Sequence, residues 1–288
     1  MRTSLFALQA PVIVARDLGS FAREGIPETE YRRVRNSVEQ LAALAAGDDD
    51  VALTAADNLI EAQLEGRGLR LFHVADLGLD QFAVAGAGVT AWEDVRGRAI
   101  GVDSPTSGYA YVLYRLLADH GIARDEVEVV PLGGPDGRFA GLADGSIAVG
   151  MLNPFFTERA RRAGLPVLAS GGERFPAYPN LAFAASETRL AAEPALFAAY
   201  ARAIDAALAW VGDDANTDEA VRLVAAARDV DEDAARGLLT SERSLRLVAA
   251  PDGAAVRRAL ETVAALRGEF TGRTLAPEEF ATAEVLAR

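Results

Sequence analysis

The sequence predicts an α/β protein made of two similar lobes, and three observations carry that expectation. Short apolar runs alternate with amphipathic helical stretches through the first two thirds of the chain. This alternation is the pattern of an open sheet flanked by helices. A helix, a stopping glycine and an apolar strand also recur at one spacing. Gly47 and Gly145 lie 98 residues apart, and so do Val51 and Val149. Self-similarity at a fixed offset means a repeated structural unit. The last third is alanine-rich with helical periodicity and no strand patterning, so it adds helices rather than a third domain.

In chain order, residues 3–8 read as a strand and 12–24 as a helix stopping near Gly25. A second strand follows over about 29–34. Ser37 offers a helix N-cap with Gln40 placed to complete a capping box. Leu41, Leu44 and Ala45 form that helix's apolar stripe, and Gly47 ends it. Residues 51–54 form a buried strand leading into Ala55-Ala56-Asp57-Asn58. The second round runs through a strand at 99–102, a loop at 103–108 and a helix at 109–119 ending at His120-Gly121. A strand at 127–131, a helix at 138–143 stopped by Gly145, and a strand at 147–152 closing on Asn153-Pro154 complete it. Residues 179–186 read as a returning strand, and helices are expected near 194–211, 218–227, 232–239 and 251–268.

Composition removes whole classes of chemistry. The 288 residues carry a net charge of −13, which repels nucleic acid and anionic membrane surfaces. No run approaches the roughly 18 apolar residues of a membrane span, so neither nucleic acid nor membrane insertion is expected. Cysteine is absent, excluding thiolate nucleophiles and zinc–thiolate or iron–sulfur sites. All 29 basic residues are arginine, which excludes Schiff-base lysines and a Walker-loop lysine. Gly86 and Gly88 lack the third glycine of a dinucleotide fingerprint. No cofactor and no metal is expected. The stretch Met1-Arg2-Thr3-Ser4-Leu5 is too short in its apolar part for a secretory signal, since Gln9 and Pro11 follow at once. As written, the sequence reads as cytoplasmic, or as extracytoplasmic if a leader has been removed.

The run Ala10-Pro11-Val12-Ile13-Val14-Ala15-Arg16-Asp17-Leu18-Gly19-Ser20-Phe21, followed by Glu24-Gly25, resembles the opening of type II periplasmic solute-binding proteins. More narrowly it resembles their NMT1/THI5-like group, which includes sulfonate, nitrate, taurine and pyrimidine binders. Ser37-Val38-Glu39-Gln40-Leu41 to Gly47, and Asp50-Val51-Ala52, are similar to that group's second helix and third strand. Ala99-Ile100-Gly101-Val102 with 104–108, Gly133-Gly134 with Arg138-Phe139, and 145–152 continue the likeness. It covers about residues 5–210. The resemblance implies a two-lobed, hinged clamp with chain crossings near Val84-Ala85 and Tyr178-Asn180. Lobe 1 would then be residues 1–85 plus 181–288, and lobe 2 residues 86–180. A ligand would lie in the interlobe cleft, on loops at the carboxyl ends of strands.

Candidate ligand-binding residues follow from that placement. Gln9, with Ala10 and Pro11, ends the first strand and can turn an amide outward, or simply form the strand–helix turn. Ser37 can bring a hydroxyl and free backbone N–H groups to an anion, or only cap its helix. Asp57 and Asn58 end the strand at 51–54, where a carboxylate accepts from an amine or hydroxyl, or caps the next helix. Ser104, Thr106, Ser107 and Tyr109 cluster hydroxyls at a helix start, suited to an acidic oxygen. Asn153 with Phe155 is the matching loop of the second lobe. Tyr178, beside Phe175, Pro176 and Pro179, could stack on a planar ligand. Arg138 is the one arginine expected near the cleft.

Two functions stay open on the sequence. One is a solute-binding protein for a small organic, planar or mono-anionic ligand, with an ABC-type permease as partner. The other is a cofactor-free cytoplasmic enzyme on the same fold, a decarboxylase or small-ring biosynthetic enzyme, using Asp57, His73 and Asp80 for acid–base chemistry. The safer reading of His73 is a structural histidine, and His120, at a helix C-terminus where it complements the dipole, is assigned no function.

Overall fold

A computed structural model describes residues 1–26, 28–244 and 251–287. The chain divides into two compact units. Unit 1 comprises Met1–Gly78, Tyr178–Val263 and Leu275–Arg288, and unit 2 comprises Leu79–Ala177 and Ala264–Thr274.

Each unit holds one five-stranded sheet. In unit 1 the strands are β1 (Arg2–Leu5), β2 (Glu30–Arg33), β3 (Val51–Thr54), β4 (Leu69–Val74) and β10 (Ala182–Ser186). In unit 2 they are β5 (Phe82–Ala85), β6 (Ala99–Val102), β7 (Glu128–Pro131), β8 (Val149–Leu152) and β9 (Val167–Ser170). Their orders are β2-β1-β3-β10-β4 and β7-β6-β8-β5-β9. The two orders are the same once β6 is matched to β1, β7 to β2, β8 to β3, β5 to β10 and β9 to β4. In both sheets the strand in fourth place is antiparallel to its neighbours, and the first three are parallel.

The repeat seen in the sequence is therefore a repeat of structure. Helices α1 (Ala10–Asp17), α3 (Ser37–Ala46) and α4 (Asp57–Leu64) follow β1, β2 and β3. Helices α5 (Gly108–Asp119), α6 (Pro135–Asp144) and α7 (Pro154–Arg162) follow β6, β7 and β8. The stopping glycines behave as expected, since Gly47 and Gly145 both take left-handed φ at a helix end. The helix expected over 12–24 breaks in two. Gly19, at φ 72°, separates α1 from α2 (Ser20–Arg23). A short α8 (Gly171–Arg174) closes unit 2 before the chain returns.

The C-terminal helices are α9 (Glu187–Ala192), α10 (Pro194–Gly212), α11 (Thr217–Arg228), α12 (Glu232–Ser244), α13 (Gly253–Thr271), α14 (Pro277–Phe280) and α15 (Ala283–Leu286). By length and composition alone α10 could cross a membrane. Here it is a core helix instead. Phe197, Tyr200, Ile204 and Leu208 bury against Ile13, Leu53, Phe72 and Phe183. Phe72 sits at the centre of an aromatic cluster, 5.1 Å from Phe197 and 5.9 Å from Tyr200 by ring centroid. One buried apolar cluster of unit 2 is built on Val84, Leu142, Ile147 and Leu152.

Two further features differ from the sequence reading. β5, expected at the end of lobe 1, pairs with β8 and β9 of the second sheet. The C-terminal helices, expected to complete the first lobe, do so except for residues 264–274, which pack in unit 2. There Phe270 lies 5.7 Å from both Tyr111 and Tyr114, and Arg115 meets Glu269 at 3.2 Å.

Gly86 shows how tightly unit 2 is built. A Cβ at this position would collide with the backbone carbonyl of Ile147, which has no side-chain freedom to yield. Gly86→Ala is expected to lower stability by about 1–3 kcal/mol. Denaturant unfolding should show this as a lower midpoint with an unchanged slope.

Candidate functional site

Parallel strands bring three strand ends and three helix starts to one edge of each sheet, the carboxyl edge. The antiparallel fourth strand enters from that same edge. Phe82 pairs with Leu152 at the end of β8, and Ala182 pairs with Thr54 at the end of β3. Residues just before β5 and β10 are thereby carried to the carboxyl edges, although the sequence gives no hint of the pairing direction.

In unit 1, Gln9 is the residue before α1, in extended conformation, and its side chain makes no capping bond. Its Oε1 is buried without a partner. Pro11 is buried in the first turn of α1, where a missing N–H costs nothing. The capping box expected between Ser37 and Gln40 does not form. Asn36 is the cap, accepting from Glu39 N at 2.8 Å, and Ser37 is the first helical residue. Gln40 is fully buried, and its Nε2 donates to Ser4 O and Leu53 O at 3.0 and 3.1 Å. The two carbonyls lie where the β1–β3 ladder ends, so buried donors satisfy acceptors that the sheet leaves over. Asp57 is buried at the first position of α4, and Asn58 donates from Nδ2 to Thr54 Oγ1 at 2.9 Å.

In unit 2, Ser107 caps α5. Its Oγ accepts from Ala110 N and donates to Asp103. The backbone N–H of Ser107 donates to Ser104 O at 3.2 Å, closing the loop on itself. Thr106 is exposed, and its carbonyl accepts from Arg267 Nη2 at 2.9 Å. Tyr109 stands half-buried in the first turn of α5. Asn153 caps α7 by accepting from Phe156 N at 3.1 Å. Phe155, 58% exposed, is the most open aromatic of this edge and packs edge-on against Phe156. Arg138 is buried, donating from Nε to Met151 O at 2.8 Å and from Nη1 to Gly133 O. Burial pushes its pKa down, while Asp103, Tyr109 and Asp136 support the charge from nearby. It ties the end of β8 to the loop between β7 and α6.

The residues considered for acid–base chemistry are placed differently. His73 is a core residue of β4, fully buried, stacked on Phe183, with Nε2 3.2 Å from Asp205 of α10. It belongs to unit 1 and Asp80 to unit 2. Tyr178, expected to line a crossing, is also fully buried, its N–H donating to Leu77 O. His120 follows α5 and stacks on Trp92 at 4.9 Å. Among the described residues no group of three or more histidines or carboxylates could hold a metal ion.

Sequence reasoning missed two groups. Gln81 is buried before β5, at the carboxyl edge of unit 2. Its Nε2 faces Asp80 Oδ1 at 3.3 Å, and its Oε1 is buried without a partner. Glu242 of α12 is buried in unit 1, and its Oε2 accepts from Ala10 N at 2.7 Å at the start of α1. No local pattern marks either residue.

The NMT1/THI5-like family model matches residues 8–217. No curated protein matches the chain in sequence. Solved structures similar to it include the alkanesulfonate-binding protein SsuA of Xanthomonas axonopodis pv. citri bound to MOPS. It is 16% identical with a TM-score of 0.79, the match covering 97% of this chain and 96% of that one. The ligand-binding component of an ABC-type import system from Staphylococcus aureus is 12% identical with a TM-score of 0.78, covering 99% and 96%. A periplasmic sulfonate-binding SsuA of Methylobacillus flagellatus KT, of a putative sulfonate ABC transporter, is 14% identical with a TM-score of 0.73, covering 99% and 92%. These likenesses show that the fold is that of the periplasmic binding proteins.

Burial raises the pKa of Asp80, opposed by hydrogen bonds from Gln81 and from its own backbone. A carboxyl that holds its proton more tightly in the folded chain favours folding most below the usual carboxylate range. That contribution is lost as pH rises through the raised value. Asp80→Asn is therefore expected to melt higher than the native chain at neutral pH and to lose this advantage in acid. Thermal melts from about pH 3 to 8 test the sign.

Proposed function

We propose a function from one established premise: this chain belongs to the NMT1/THI5-like family. It is a small-molecule solute-binding protein, taking a small organic ligand that is planar or carries a single negative charge. Its partner is an ABC-type permease, and its place is outside the cytoplasmic membrane, as the relatives named periplasmic suggest. The observation that carries the reading is the duplicated carboxyl edge. Each sheet gathers three helix starts and a buried glutamine on one rim, and open α/β sheets bind ligands there.

The ligand-reading residues are drawn from those rims. In unit 1 they are Gln9, Pro11, Ser37, Asp57 and Asn58. In unit 2 they are Ser104, Thr106, Ser107, Tyr109, Asn153 and Phe155, with Arg138 holding two of the loops in place. Tyr178, fully buried, acts as a support.

The test is incubation of the purified protein with a metabolite extract, followed by mass spectrometry of bound and free fractions. One compound should be retained unchanged. Titrated back, it should stabilise the fold by about 2.7 kcal/mol at a hundredfold excess over Kd. A compound consumed, with a product appearing in its place, would overturn the reading in favour of an enzyme.

A further inference from the structure

At the carboxyl edge of unit 1, the start of α1 is occupied by the chain's own groups. A helix start normally presents unpaired N–H donors and attracts anions. The start of α1 does not. Ala10 N donates to Glu242 Oε2, Pro11 has no N–H, and Val12 N and Ile13 N both donate to Gln9 O at 3.1 Å. Glu242 is fixed there by Arg228, whose Nη2 reaches Glu242 Oε1 at 2.7 Å and whose Nε donates to Leu8 O. The chain has placed its own carboxylate where an anion from solvent would dock.

Two buried side-chain atoms at this edge, among the described residues, are of the opposite kind. Gln9 Oε1 and Gln40 Oε1 are both buried acceptors without partners. The orientation of Gln40 is fixed, because its Nε2 is committed to two carbonyls and only nitrogen can donate to both. A buried carbonyl oxygen left without a donor is costly, and native proteins keep few of them. Unit 2 repeats the polarity independently, with Gln81 Oε1 buried and unpaired at its own carboxyl edge. Buried Asp57 lies at the unit 1 edge as well and adds a carboxyl group.

We propose that unit 1 reads an N–H group of the ligand, whether amine, amide or ring nitrogen, through the carboxamide oxygens of Gln9 and Gln40, and that Glu242 excludes anions from the adjoining end of α1. The inference rests on the solute-binding reading and names the chemistry of its ligand. An acidic group elsewhere on the same molecule is compatible with it.

The experiment uses thermal-shift titration of the full chain with cytosine, acetamidine and 2-aminoethanesulfonate as N–H donors, and with nitrate and ethanesulfonate as anions lacking nitrogen donors. At about 10 mM, one or more of the donors is expected to stabilise the protein, and neither plain anion. Stabilisation by the plain anions alone overturns the proposal but leaves solute binding standing. No stabilisation by any probe, together with no compound retained from the metabolite extract, overturns both. A retained compound that carries no N–H overturns this inference only.

Two variants then address the residues. Gln9→Leu should weaken the stabilising donor by about tenfold or more, and unchanged affinity overturns the assignment. Should Gln9→Leu melt lower without ligand, Gln9→Glu substitutes for it. This variant keeps an acceptor at the same length and should hold the donor within about threefold of native. Glu242→Gln keeps an acceptor for Ala10 N while removing the charge. It should admit ethanesulfonate that the native chain refuses, and continued refusal overturns the role given to Glu242.

Discussion

The antiparallel fourth strand of each sheet is the constraint on which the rest of the structure depends. Each of these strands is the point where the chain passes from one sheet to the other, β5 following β4 and β10 following β9. Both enter at the carboxyl edge and insert between two strands that run the other way. This insertion needs backbone donors to be met at the point of return. In unit 1, Asp76 Oδ1 accepts from both Asn180 N and Leu181 N, at 2.9 and 2.8 Å. In unit 2, Gln81 O accepts from Gly171 N at 2.7 Å. Gly171 and Gly172 have room for no side chain there, since a Cβ on either would press on the backbone at Leu79 or Gln81. The returning strand thus brings buried polar side chains to the one rim where helix starts also gather.

Each unit thus builds its carboxyl rim from the same parts, with different polarity detail. Unit 2 supports its rim with a buried guanidinium, Arg138, and with a loop gripped from the C-terminal helix by Arg267. Unit 1 supports its rim with a buried carboxylate from α12 and with Gln40. The supports use backbone carbonyls and amides as partners, which fixes the loops without depending on the identity of exposed side chains.

Much of the fold was legible because it depends on local signals. Gly47 and Gly145 ended helices as read, and the 98-residue offset held across strands and helices alike. What was not legible depends on distance. Gln40 read as a capping partner for Ser37 because the local pattern fits, while its true partners sit on two strands. His73 read as a possible base, while its partner Asp205 comes from a helix far along the chain. β5 and β9 span four residues each without polar–apolar alternation, so the local pattern alone does not separate them from loop. Gln81 and Glu242 were invisible for the same reason, since a residue's place on a rim follows from strand direction and from long-range packing.

The closed end of α1 has a consequence for how the protein meets its medium. A helix start that waits for an anion samples whatever is present, and chloride, phosphate or sulfate then competes with the intended solute. With Ala10 N bonded to Glu242, which Arg228 holds in place, and Val12 N and Ile13 N bonded to Gln9 O, the start of α1 leaves these donors unavailable to small inorganic ions. The counter-charge at this helix start is part of the chain itself, so its supply does not vary with the ions in the medium.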